Sequence, residues 1–296
     1  MTEVASPPAA DLRPAAPRGQ GLVAFWKAMP VSGRIGALMV LFWLLVAVLG
    51  PLLAPYKVGA IVADDPFEPF SARHLLGSDY LGRDVLSRML GGARITVGLA
   101  LAAAMIASLA GTGLALLAVV SGRWLDEGVS RLMDAMISIP SKVLALVMVA
   151  AFGSSIPLLL LIAAVTYAPG AYRIAHSLAV GLERLDYVQV ARARGEGRLH
   201  IARAEILPNM IHPMLADFGL RFVFVVLLLS GMSFLGLGVQ PPDADLGSLV
   251  RENVSGLGDG AAAIVAPALA IATLTIGVNL LIDGLRHGGS GRAGAG

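Results

Sequence analysis

Cysteine is missing altogether from the 296 residues, which excludes a disulfide framework, a thiolate metal site and a cysteine nucleophile. Charge is scarce too: 14% of residues are charged and 56% hydrophobic, where soluble domains carry about 25% and about 45–50%. No segment reads G-x-x-x-x-G-K-[ST], so the backbone cradle and lysine that hold a nucleoside triphosphate are lacking. Neither HExxH nor G-x-S-x-G occurs, and the histidines at 74, 176, 200, 212 and 287 share no helix face with a carboxylate cluster. Metalloprotease and serine-hydrolase chemistry are therefore not expected. The chain reads as non-catalytic, with no metal or cofactor of its own. Net charge is only +2, and the basic groups lie beside hydrophobic segments, so nucleic acid is not an expected partner.

What remains is apolar length. With mean hydropathy at +0.78, the sequence predicts an all-α polytopic membrane protein of six spans, near 35–53, 95–120, 129–152, 156–176, 218–237 and 261–281, each able to cross a bilayer with some tilt. Residues 1–34 read as a disordered cytoplasmic tail, because the Pro- and Ala-rich start lacks the order of a cleavable signal. Residues 287–296 read as a flexible cytoplasmic tail, leaving 35–286 as the membrane domain. With both termini inside, fourteen Lys and Arg fall on the cytoplasmic side and six outside, as the positive-inside rule requires. Lipid is thus one partner, and a cytoplasmic membrane the expected location.

The first outer loop opposes that rule, since Arg73, Arg83, Arg88 and Arg94 all lie within it beside Asp64, Asp65, Glu68, Asp79 and Asp84. Leu81, Val85, Leu86 and Leu90 recur there at helical spacing, which predicts an amphipathic helix in the outer interface before the second span. Pro140 interrupts the third span, Pro169 the fourth, and Gly236 and Gly238 end the fifth; broken helices border pathways in transporters, although plain kinks have the same signature. Lys142 and Arg221 lie near span ends, where snorkelling to the headgroups accounts for them. Asp217 is also spaced to pair with Arg221 at i,i+4.

The segment between the fourth and fifth spans is the richest in information. Arg184, Arg192, Arg194, Arg198 and Arg203 crowd into it, and they cannot be buried cheaply without partners. Residues 186–208 predict a short helix through Arg194, a turn at Gly195, where a Cβ would obstruct the chain, and a second helix stopped by Pro208. Charge alone allows simple anchoring to the inner leaflet.

The order of residues is more specific. Gln189-Val190-Ala191, then Gly195, then Ile206-Leu207-Pro208 resembles the cytoplasmic EAA loop of ABC importer membrane subunits, with Gln189 in place of the acid, Val190 in place of the first alanine, and Ala204-Glu205 where a basic pair is common. HLLGSDYLGRDVLSRMLGGARITV at 74–97, RLMDAMISIPS at 131–141, SFLGLGVQPPDADLGSLV at 233–250 and NLLIDGLR at 279–286 narrow the resemblance to the C-type permease subunit of the dipeptide/oligopeptide/nickel family. It covers 35–286 in order. It implies a heterodimer with a homologous B-type permease, two cytoplasmic ATPases that carry ATP and Mg, and an external solute-binding protein. Gln189, Val190, Ala191, Arg192, Arg194, Gly195, Glu196, Ile206, Leu207 and Pro208 would then couple to the ATPases, and Asp243, Asp245, Arg251 and Glu252 would be rim charges meeting the binding protein. Peptides are the implied substrate. Nickel, metal chelates and opines stay open within the family, and an autonomous channel or ion-driven transporter is the rival reading, poorly served by spans this short of acidic groups.

Overall fold

A computed structural model describes residues 26, 29–258 and 262–290. Among these residues every regular element is a helix: α1 Val31–Leu53, α2 Val85–Ser121, α3 Arg123–Ile137, α4 Ser141–Phe152, α5 Ile156–Glu183, α6 Asp186–Ala193, α7 Arg198–Phe234, α8 Leu246–Glu252 and α9 Ala262–Ser290. Helices α1, α2, α5, α7 and α9 are each long and apolar enough to cross a membrane, and α3 with α4 is a pair bent by 88° that is either a broken sixth span or a re-entrant loop. Only helices satisfy all of their own backbone groups in hydrocarbon, which is why so apolar a chain adopts this form.

Two tail boundaries shift. Helix α1 begins at Val31 and α9 continues to Ser290, so residues 31–34 and 287–290 are helical, while residues 1–25 and 291–296 of the predicted tails lie outside the described residues. Pro30, with extended backbone, stands at the N-cap of α1, and α9 runs on through Gly288 and Gly289.

Lipid tails are as apolar as leucine, so association relies on close backbone approach. Gly33 packs on Gly284, Gly36 against the Leu281 backbone and Gly277 on Met39, which joins α1 to α9. A fully buried alanine stripe on α2, including Ala93, Ala100, Ala103, Ala104, Ala107 and Ala115, lets α5 lie alongside, with Gly111 pressed against Ala171 and Tyr172. One apolar cluster fills the middle around Leu159, Ile162, Val225, Val226 and Leu274. A second sits at the end of the bundle near Ser121, around Ala115, Tyr172, Ile206 and Met210.

The predicted third span bends where the sequence places Pro140, which is exposed at the corner and stands at the N-cap of α4. The first limb, α3, is fastened to α5 by His176 Nε2 to Asp126 at 2.6 Å, Ser130 Oγ to Tyr172 Oη at 2.8 Å and Arg173 to Asp134 at 3.7 Å.

The outer loop corrects an expectation. Residues 81–84 are turn and bridge, and the helix starts at Val85, where the Asp84 carboxylate accepts from Ser87 N at 2.7 Å and Ser87 Oγ at 2.6 Å. There is no separate interfacial helix: this cap joins residues 85–90 to the span itself. Arg83 and Arg88 both reach the Asp79 carboxylate, at 2.7 and 2.8 Å, and Glu252 Oε2, at 3.0 and 2.8 Å. Two arginines that violate the charge rule are thereby neutralised inside the fold.

Candidate functional site

Helix α6 sits at the end of the bundle where α5 and α7 meet, with Val188 and Ala191 fully buried, packed with Ile201, Ala202, Ile206 and Met210. That leaves Gln189, Val190, Arg192 and Arg194 exposed on the other face. Its end is a Schellman cap: Gly195 N donates to Arg192 O at 2.9 Å and Glu196 N to Ala191 O at 3.2 Å, with Gly195 at φ +81°. A Cβ at Gly195 would meet nothing within 4 Å. The expectation of obstruction is therefore wrong in cause: the backbone's left-handed conformation requires glycine, not a shortage of space.

Pro208 does not stop the second helix. Residues Ile201–Ile206 are π-helical and run directly into Leu207–Phe234. Proline clashes with the carbonyl four residues back and lacks an N–H. The wider π turn absorbs the misfit, with Leu207 N–H reaching Ala202 O and Asn209 Nδ2 donating to Glu205 O at 2.8 Å. Ile206 is fully buried, Leu207 partly so, and Pro208 exposed.

The arginines are held by local acids. Arg192 pairs with Glu183, Arg194 with Glu196 at 2.5 Å, and Arg198 donates to the Ser121 carbonyl at 2.8 Å, tying the segment to the end of α2. Glu183, Arg192, Glu196 and Arg198 line a cavity of about 350 Å³ beside Gly122. Glu196, His200 and Glu205 hold ligand atoms within 4.8 Å of one another, but they are partly or fully exposed, and Glu196 is already paired with Arg194 and with His200 at 3.3 Å.

At the opposite end of the bundle, the four expected rim charges divide. Asp243 and Arg251 are exposed, whereas Asp245 and Glu252 are interior. Asp245 caps α8, accepting from Ser248 N at 2.8 Å and Ser233 Oγ at 2.8 Å while Ser248 Oγ accepts from its own N–H. Burial pushes its carboxyl above the ordinary value, opposed by the hydrogen bonds from Ser248 and Ser233. Glu252 closes the arginine pair described above, where burial works against the Arg83 charge but Asp79 and Glu252 overcome it and raise its pKa. Gly236, at φ +85°, supplies a second Schellman cap at the end of α7, with Leu237 N bonding Met232 O at 2.9 Å, and Gly238 is pressed against Ser233. Both glycines thus serve a helix end. Pro169 is buried within the bundle.

Of the intramembrane charges, Lys142 is exposed, but Arg221 does not snorkel. It is 5% exposed and donates Nε and Nη2 to the Asp217 carboxylate at 2.6 and 2.9 Å, the pairing its i,i+4 spacing predicts, and Nη1 to the Tyr167 carbonyl on α5 at 3.0 Å. No side-chain pattern could have revealed Tyr167, because it contributes a backbone oxygen from another helix.

Residues 107–287 match the family described as binding-protein-dependent transport system inner membrane component. A putative peptide transport system permease protein of Brucella suis is 32% identical over 286 residues, covering 97% of this chain and 96% of its own length. A dipeptide transport system permease protein of Alkalihalophilus pseudofirmus is 30% identical over 85% of this chain and 83% of its own. A di/tripeptide transport system permease protein of Pseudomonas aeruginosa is 33% identical over 88% and 89%. The helical membrane architecture and these likenesses agree: the chain belongs to the family of binding-protein-dependent inner membrane transport components, as a permease subunit of an ABC importer.

Proposed function

We propose that this subunit forms half of the translocation pathway of a peptide importer, with a homologous B-type permease as the other half. Two cytoplasmic ATPases, carrying ATP and Mg, drive it from beneath, and an external solute-binding protein delivers the cargo. Both termini are cytoplasmic in this reading. The observation that carries it is α6: a short helix with one face sealed into the bundle by Val188 and Ala191, the other presenting Gln189, Val190, Arg192 and Arg194, and its ends leading into α5 and α7. A helix seated in an ATPase cleft at that place passes the closure of the ATPases to two spans at once. On the opposite side Asp243 and Arg251 are the charges available to the binding protein. Peptide is favoured as cargo because the similar proteins named above are peptide, dipeptide and di/tripeptide permeases.

Affinity purification of the chain from its native membrane tests the assembly: one homologous permease and two ATPases are expected to come with it, and recovery of the chain alone would contradict the proposal. Mass spectrometry of the ligand retained by the partner binding protein tests the cargo. A nickel chelate or an opine there, rather than a peptide, would overturn the peptide assignment and leave the importer assignment standing.

A further inference from the structure

The coupling role of α6 implies that the two spans flanking it must not splay when it is pushed. We propose that Arg221 is a positioning residue that locks α5 to α7, so that α5, α6 and α7 move as one rigid piece. The inference rests on the coupling assignment and extends it into the membrane.

Three observations converge on one level of the bundle. Arg221 stands on α7 and is clamped by Asp217 on the same helix through two hydrogen bonds, which fixes the plane of its guanidinium. Its free arm crosses to the Tyr167 carbonyl on α5 at 3.0 Å. Gly170 makes the crossing possible, because a Cβ there would stand 2.8 Å from Arg221 Nη1. The same rung is doubled by Tyr167, whose hydroxyl donates to the Phe224 carbonyl at 3.1 Å and whose ring stacks on Phe224 at 6.2 Å. The rung lies two residues from Pro169, where α5 lacks one N–H and is least able to resist bending. A charge pair inside a membrane is costly and persists where it has work to do, and here the work is to brace a weak point between the two limbs that meet at α6.

The test uses the whole reconstituted importer with a radiolabelled dipeptide, measuring dipeptide imported per ATP hydrolysed. In Asp217→Leu/Arg221→Leu no charge is left unpaired, so the bundle is retained. Hydrolysis is expected to persist while the transport ratio falls at least about threefold, within the range for residues along a coupling network. Arg221→Lys keeps a charge for Asp217 but loses the planar fork, and its ratio is expected to fall between wild type and the double variant. A wild-type ratio in the double variant overturns the proposal, as does a double variant that no longer purifies with its ATPases, since the pair would then serve assembly alone. Gly195→Val, made in parallel, separates the two inferences: if it too leaves the ratio unchanged, the coupling assignment of α6 has failed and not merely the brace.

Discussion

At Gly195 the backbone and the side chain make separable demands. With φ at +81° and open space around it, a substitution is penalised for its conformation alone, by about 1–2 kcal/mol in the left-handed region, a tenfold effect for each 1.4 kcal/mol or so. Asparagine tolerates that region and a β-branched residue does not. Gly195→Val is expected to lower uptake roughly tenfold or more, and Gly195→Asn only about threefold, at equal membrane levels by immunoblot; equal loss in both would mean that the surface itself excludes side chains. Asp245 gives a pH signature. Because burial holds its folded-state pKa above its ordinary value of 3.8, the folded chain keeps a proton that the unfolded chain has released. Its stabilising contribution is therefore complete below that ordinary value and declines as pH rises to the folded-state value. Asp245→Asn is expected to flatten the acid side of the thermal unfolding profile in nanodiscs. The Asp217–Arg221 pair was legible from spacing, and Gly195 from its place in the motif. Asp245 stands three residues before Ser248, a helix-start spacing in the sequence that the rim-charge reading passed over, whereas Glu252 was not legible, because a charge in a polar loop carries no mark of whether the loop folds over it.

Among the elements, the outer clamp carries the largest energetic stake. Arg88 is 3% exposed and bridges Asp79 to Glu252, so Arg88→Met leaves two buried carboxylates to Arg83 alone. Breaking one partner of such a network costs about 3–5 kcal/mol; a lower unfolding midpoint is expected, with Glu252→Gln milder because Asp79 still serves both arginines. Equal midpoints would place the network in solvent. Six spans were drawn from hydropathy and five of them are single long apolar helices, while the drawn third span is a pair bent by 88° at Pro140, a corner that depends on what α3 and α4 pack against. The start of α2 was missed by following apolar periodicity through residues 81–90, whereas Asp84 and Ser87 three residues apart are a helix-start signal in the sequence itself. Pro208 misled for the opposite reason: a proline rule describes α-helices, and a π turn accommodates what an α turn rejects.

For the whole molecule, the absence of a phosphate loop has a direct experimental counterpart. Liposomes holding this chain alone are expected to show no vectorial dipeptide uptake with or without internal ATP, and uptake is expected only when the sister permease, the ATPases and the binding protein are added together; transport by the isolated chain would restore the autonomous-transporter reading. The length of α2 has a further consequence. Its 37 residues extend about 55 Å, nearly twice the roughly 30 Å of hydrocarbon. One end is pinned to Glu252 through Arg88, and the other offers the Ser121 carbonyl to Arg198. A rigid helix of that length acts as a lever: a tilt of about 5° around its midpoint would sweep each tip by roughly 2 Å in opposite senses, given its rise per residue, so a push on one end is delivered to the other.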